Sequence, residues 1–272
     1  MSSLLKISVS VIFVFLFSSA LGGDPYRPSA GAGEAGMGYA CITRSSLWSS
    51  FHNQASLAYY KVTSAGFNYE NRFGIKELGT STAAFTISEG KTTLATVYSH
   101  FGCPDFKREM AGVACGIKLS EIIAAGVQVD YFSNKTYGEY DNQQSVTFEA
   151  GIIINPSEVT KIGIHVFNPV PNSVRKNSLP LILRAGGSTY LSKNLITALE
   201  SEISTGRNLI LRTGIEYEVA KKFWIRCGFS TDNNSFGFGL GYLAKAVLID
   251  LGFTTHDRLG VTSSASLIFK FH

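Results

Sequence analysis

From Lys61 to the C-terminus, apolar and polar residues alternate in segments of about ten residues separated by turn residues, the period of β-strands. In "LRTGIEYEVAKKFWIRCGFS", residues 211–230, Leu211, Thr213, Ile215, Tyr217 and Val219 alternate with Arg212, Gly214, Glu216 and Glu218. After Ala220-Lys221-Lys222 the alternation restarts, with Phe223, Ile225, Cys227 and Phe229 against Trp224, Arg226 and Gly228. The pattern predicts two strands joined by a tight turn, each with one apolar face and one charge-bearing face. Two architectures satisfy it: a soluble sheet lying on a core, or a barrel with lipid outside and water inside.

The same reading gives about fourteen strand cores, at 61–70, 78–88, 91–100, 108–119, 123–133, 144–154, 159–167, 180–191, 194–203, 208–219, 222–230, 234–243, 246–255 and 261–271. Each is long enough to cross a bilayer at a tilt. Their connections alternate in character. "SEG", "SEI", "NPSEV", "SKN", "AKK" and "LAK" are short, whereas "NRFGIKELG", "FGCPDFKRE", "NKTYGEYDNQQ", "NPVPNSVRKNS", "STGRN", "STDNN" and "THDRLG" are longer or more polar. Such alternation is expected of an outer-membrane barrel with short periplasmic turns and longer external loops. The expected fold class is therefore all-β, a transmembrane antiparallel β-barrel. A soluble secreted β-protein remains the competing expectation.

The N-terminus supports export. Lys6, the apolar run Ile7–Phe17 and the small residues Ser18, Ser19 and Ala20 form a secretory signal peptide, placed at residues 1–22. Its removal takes away Lys6 and no acid, so the net charge falls from +4 to +3, too small and too scattered to suggest nucleic acid. Mean hydropathy is positive at +0.13 and aromatics reach 12%, yet no later run has the length of a membrane-spanning helix. The four cysteines are expected as free thiols: Cys103 lies in a turn, Cys115 lies up the following strand, and Cys115 and Cys227 share the phase of apolar neighbours. No Cys or His spacing points to a metal, and nothing implies a cofactor.

If the apolar faces meet lipid, Glu149, His165, Arg184, Glu200, Arg212, Glu216 and Arg226 point into the lumen, with Lys118, Gln128, Asp130, Glu202, Glu218, Asp250 and Lys270 in the same phase. Arg212, Arg226 and Arg184 can then face Glu216, Glu200 and Glu149 across neighbouring strands. A charge on the lipid side would cost about 2–4 kcal/mol at mid-depth. Strand glycines such as Gly126, Gly151, Gly214 and Gly228 fall on the inward phase too, which a segment packed inside the barrel would explain. Gly31, Gly33 and Gly36 have dinucleotide-loop spacing, but no strand precedes them. No G-x-S-x-G occurs, so no catalytic residues are assigned.

The stretch "RPSAGAGEAGMGYACITRSSLWSSFHNQASLAYYKVTSAGFNY" resembles the N-terminal region of FadL-like outer-membrane proteins, above all the PorV/PorQ-type proteins of Bacteroidota. The phrases carrying the resemblance are Ala35-Gly36-Met37-Gly38 and Asn53-Gln54-Ala55-Ser56-Leu57-Ala58, with Gln54 where proline is usual. It continues loosely through "GVQVDYFS", "IGIHVFNP", "SFGFGLGY" and "LGVTSSASLIFKF". The resemblance implies a fourteen-stranded barrel with a hatch segment in the lumen, here residues 23–59, ahead of a barrel at 60–272. The residues themselves suggest a short helix capped by Ser45 or Ser46, with Leu47, Trp48, Phe51 and Leu57 on its apolar side. Arg44, Trp48, Phe51, Asn53 and Gln54 are thus the hatch candidates. Phe269 and Phe271 are candidates for the terminal aromatic signal read by the barrel-assembly machinery, with outer-membrane lipid as surroundings. Two roles follow: a gated channel for small hydrophobic molecules, or a non-conducting docking subunit of a type IX-like secretion or assembly complex.

Overall fold

In a computed structural model, which describes residues 28–136, 143–170 and 179–271, the chain closes into a fourteen-stranded antiparallel barrel. The strands are β1 Thr63–Asn71, β2 Gly79–Glu89, β3 Thr92–Cys103, β4 Phe106–Lys118, β5 Ile123–Thr136, β6 Gln143–Ile154 and β7 Thr160–Phe167. The circuit continues with β8 Ile182–Ser192, β9 Leu195–Ser204, β10 Ile210–Ala220, β11 Phe223–Ser230, β12 Ser235–Ala244, β13 Val247–His256 and β14 Gly260–Phe271. Each strand pairs with its sequence neighbours, and β1 closes on β14 from Thr63 opposite Phe271 to Asn71 opposite Ser263. Closure leaves no free sheet edge, which a lipid-exposed sheet requires.

The faces are inverted relative to a soluble protein. Leu199 is 62% exposed and Val113 62%, whereas Arg184 is 2% exposed and Asp130 0%. The period-two pattern therefore puts its apolar set outside, where only an apolar medium satisfies it, and its charges inside. The chain is a transmembrane barrel.

One end carries the tight connections Gly90–Lys91, Lys193–Asn194, Lys221–Lys222 and Lys245–Ala246, between β2 and β3, β8 and β9, β10 and β11, and β12 and β13. Lys222 and Lys245 take positive φ there, as two-residue hairpins demand. The connections at the other end are mostly longer, such as 72–78 and 168–181. One differs from its sequence reading: the 101–109 loop is a two-residue turn at Pro104–Asp105, because β3 runs on to Cys103 and β4 begins at Phe106. Polar residues continue the ladder there, where hydropathy no longer marks a strand.

Residues 30–60 run inside the lumen. A five-residue helix, α1 (Ala32–Gly36), packs on β11 to β14, and 3₁₀ helices follow at Leu47–Phe51 and Gln54–Tyr59, the second against β4, β5 and β6. The single helix expected over 45–58 is thus two short turns. Ser49 and Ser50 hydroxyls donate back to the carbonyls of Arg44 (2.6 Å) and Leu47 (2.8 Å), competing with an α-helical ladder. Asn53 then stands extended and caps the second turn by accepting from the Ala55 N–H at 3.1 Å. The signal peptide and His272 lie outside the described residues. All four cysteines are free; burial pushes the Cys41 thiol of the inner segment up to about 12.

Candidate luminal site

The inner segment reaches the wall backbone because the wall offers it glycine. A β-carbon on Gly228 would overlap the Met37 carbonyl carbon, and one on Gly126 would overlap Ala55 N. The helix glycines reciprocate, since a β-carbon on Gly36 would stand 2.7 Å from the Gly239 Cα. Within the Gly31-x-Gly33-x-x-Gly36 spacing, Gly36 thus serves close packing on the wall and Gly33 makes room for Arg226, whereas Gly31 takes a positive φ beside Glu34 and Trp48.

Two ionic networks fasten this segment. In the first, Arg44 spans Glu34 (3.1 Å) and Glu216 (2.8 Å), and Arg226 continues from Glu216 (2.5 Å) to Asp250 (2.6 Å). In the second, Glu200 binds Arg184, lies 3.3 Å from Arg212, and accepts the backbone N–H groups of Cys41 (3.1 Å) and Ile42 (3.0 Å). Arg212 also pairs with Glu202 at 2.9 Å, and Arg184 donates to the His52 carbonyl at 3.1 Å. Arginine suits these positions because its fork serves two acceptors at once. Buried charges of this kind hold geometry through mutual pairing, and losing one member strands the others.

A third, less charged fastening lies on β5 to β7. Gln54 Nε2 donates to Glu149 Oε2 (2.9 Å), Gln128 Oε1 (3.4 Å) and the Ser50 carbonyl (3.2 Å), while His165 Nε2 meets the same Glu149 oxygen at 2.7 Å. Glu149 thus pairs with histidine. Asn53 Nδ2 reaches the Ile152 and Ile164 carbonyls at 3.5 and 3.4 Å.

Between these fastenings the lumen is apolar. Leu47, Trp48 and Phe51 are buried with Ala84, Val97, Met110, Phe132, Phe167, Ile182 and Ile268. Trp48 and Phe51 lie 6.2 Å apart between ring centroids. Directly against this cluster, at the long-loop end, a cavity of about 390 Å³ shares Met110, Phe132 and Ile182 with it. Tyr39, His52, Phe73, Phe101, Arg72 and Arg108 also line it.

All twelve luminal candidates from sequence lie inside the barrel, in these fastenings or in the apolar cluster. Phe269 and Phe271 lie elsewhere, exposed on the outer face of β14 near the short-turn end. Sequence reasoning missed Glu34 and the cavity's rim. Glu34 is the one charge in "GAGEAGMG", a signal available to inspection; the rim gathers residues from several connections that no local pattern links. Among the described residues, no cluster of His, Cys, Asp and Glu could hold a metal ion.

These features define a class: fourteen-stranded membrane barrels whose lumen is occupied by the chain's own N-terminal segment. Several solved structures are similar to this chain. A FadL homologue of Pseudomonas aeruginosa superimposes with a TM-score of 0.67 at 13% identity, over 90% of this chain and 99% of that one. The toluene transporter TbuX of Ralstonia pickettii gives 0.68 at 11% identity, over 89% and 98%. The toluene transporter TodX of Pseudomonas putida gives 0.63 at 11%, over 88% and 96%. The fold is thus FadL-like. No protein-family model and no curated protein sequence matches the chain.

Proposed function

We propose that this protein is an outer-membrane channel for small hydrophobic molecules, gated by its luminal segment as a hatch. In this reading residues 1–22 direct export, the long-loop end faces outward and the short turns face the periplasm. The observation that carries it is the cavity at the long-loop end, whose floor of Met110, Phe132 and Ile182 is continuous with the Leu47-Trp48-Phe51 cluster of the hatch. Below a rim that carries Glu70, Arg72, Arg108 and Glu202, an apolar solute reaching that floor leaves water for an apolar surface, worth roughly 25 cal/mol for each Å² it buries. Onward passage requires the 3₁₀ turn at Leu47–Phe51 to move, while the networks around Glu216 and Glu200 hold the rest. The fold shared with two toluene transporters agrees with an apolar cargo. Nothing in the comparisons favours the alternative, a non-conducting docking subunit.

The test is uptake of a radiolabelled alkylbenzene by cells whose outer membrane lacks other carriers of it. Expression of the protein is expected to raise the initial rate several-fold, and the Met110→Asp/Phe132→Asp variant is expected to remove the gain. Uptake no faster than in cells without the protein would reject the reading.

A further inference from the structure

The strands' outer face is apolar around most of the long-loop rim, where Leu183, Leu211, Phe236 and Val261 are exposed. It is not apolar across β3, β4 and β5. There Gly102 pairs with Lys107 and Lys107 with Lys135; one step deeper His100 pairs with Glu109 and Glu109 with Ser133. The pleat puts His100, Glu109, Lys107 and Lys135 on the side of the exposed Tyr98, Val113, Val129 and Tyr131.

Glu109 is engaged locally, accepting from the Tyr98 hydroxyl at 3.0 Å and lying 3.6 Å from His100 Nδ1. Neither Lys107 nor Lys135 forms a close ion pair among the described residues, and Glu109 attracts both only at longer range. Two lysines directly opposite each other on one face repel and weaken the pairing of β4 and β5, unless an anion lies between them. Tyr98 and Tyr131, one to two pairs deeper, mark the interfacial level where barrels carry their aromatic girdle. The lysines therefore stand at headgroup height, above an apolar wall of Val113 and Val129.

We propose that this patch docks a phosphorylated lipid headgroup of the leaflet at the long-loop end, its phosphate bridging Lys107 and Lys135 and its acyl chains lying along Val113 and Val129. The inference rests on the membrane orientation proposed above. The chemistry favours a lipid because the cationic pair is continuous with a surface that only acyl chains would cover.

The test is native mass spectrometry of the purified full-length protein, titrated with bis-phosphorylated lipid A and, separately, with its dephosphorylated form. Two lysines at an anionic surface are expected to favour the phosphorylated lipid by roughly thirtyfold. Lys107→Gln/Lys135→Gln is expected to abolish the preference; Lys221→Gln/Lys222→Gln, at the other end, is expected to keep it. Equal binding of both lipids by the wild type, unchanged preference in the first variant, or displacement by inorganic phosphate would each overturn the proposal. Folded protein that inserts into bilayers yet shows no preference would fail this inference alone, whereas failure to insert would fail the membrane placement itself.

Discussion

Leu211 and Arg212 are neighbours in sequence that meet opposite surroundings. Leu211 is exposed on the outer face, while Arg212 is half-buried against Glu200 and Glu202. Ile215→Arg, on the same outer face near the middle of β10, is expected to prevent assembly, since a cation on the lipid face costs about 2–4 kcal/mol near mid-depth. Arg212→Gln keeps a polar group in a polar lumen and is expected to leave the barrel heat-modifiable on gels; equal tolerance of both changes would mean the faces are misassigned. The inward glycines give a second residue-scale prediction. Gly228→Val sets a branched side chain where Met37 backbone now lies, so the hatch must leave that wall. The barrel is expected to stay folded while trypsin gains access to Arg44, which the wild type protects. Unchanged resistance to trypsin would show that the segment is not held by this approach. Alternation made these positions legible from sequence, because a residue's face follows from parity alone. The partners were less legible: Glu149 meets His165 because β6 and β7 pair Gly151 with His165, a register that composition does not encode.

At the scale of elements, the strands were legible nearly to their ends, as with β8 read at 180–191 and found at Ile182–Ser192. The ends that escaped are those where pairing outlasts hydropathy, such as the β3–β4 turn at Pro104–Asp105. The hatch was legible as a segment but not as two 3₁₀ turns, because serine hydroxyls and the extended Asn53 decide that locally. The difference between the two ends of the barrel yields a topology prediction. With Cys41, Cys103, Cys115 and Cys227 replaced, an impermeant maleimide applied to intact cells is expected to label Arg258→Cys, in an exposed connection at the long-loop end. It is expected to spare Lys221→Cys in a tight turn. Labelling at position 221 from outside would reverse the orientation.

The molecule as a whole is a cylinder whose inner wall carries ionic networks and an apolar cluster, with its own N-terminal segment packed inside. Its fold could be read from sequence because lipid and water impose opposite demands on alternate residues. The luminal packing could not be read in the same way: it depends on where the chain at 30–60 meets the wall, with Arg44 and Gln54 each bonded to residues far away in sequence. The central claim is that this segment, and not the wall, shuts the lumen. Deleting residues 31–52 removes the Leu47-Trp48-Phe51 cluster together with Glu34 and Arg44, leaving Arg184, Glu200, Arg212, Glu216 and Arg226 to line a hydrated passage. The most direct measurement is single-channel conductance of this deletion in planar bilayers beside the intact protein. The account predicts a near-silent parent and a folded, heat-modifiable deletion with a clear ohmic conductance. A correctly folded deletion that stays as silent as its parent would contradict it.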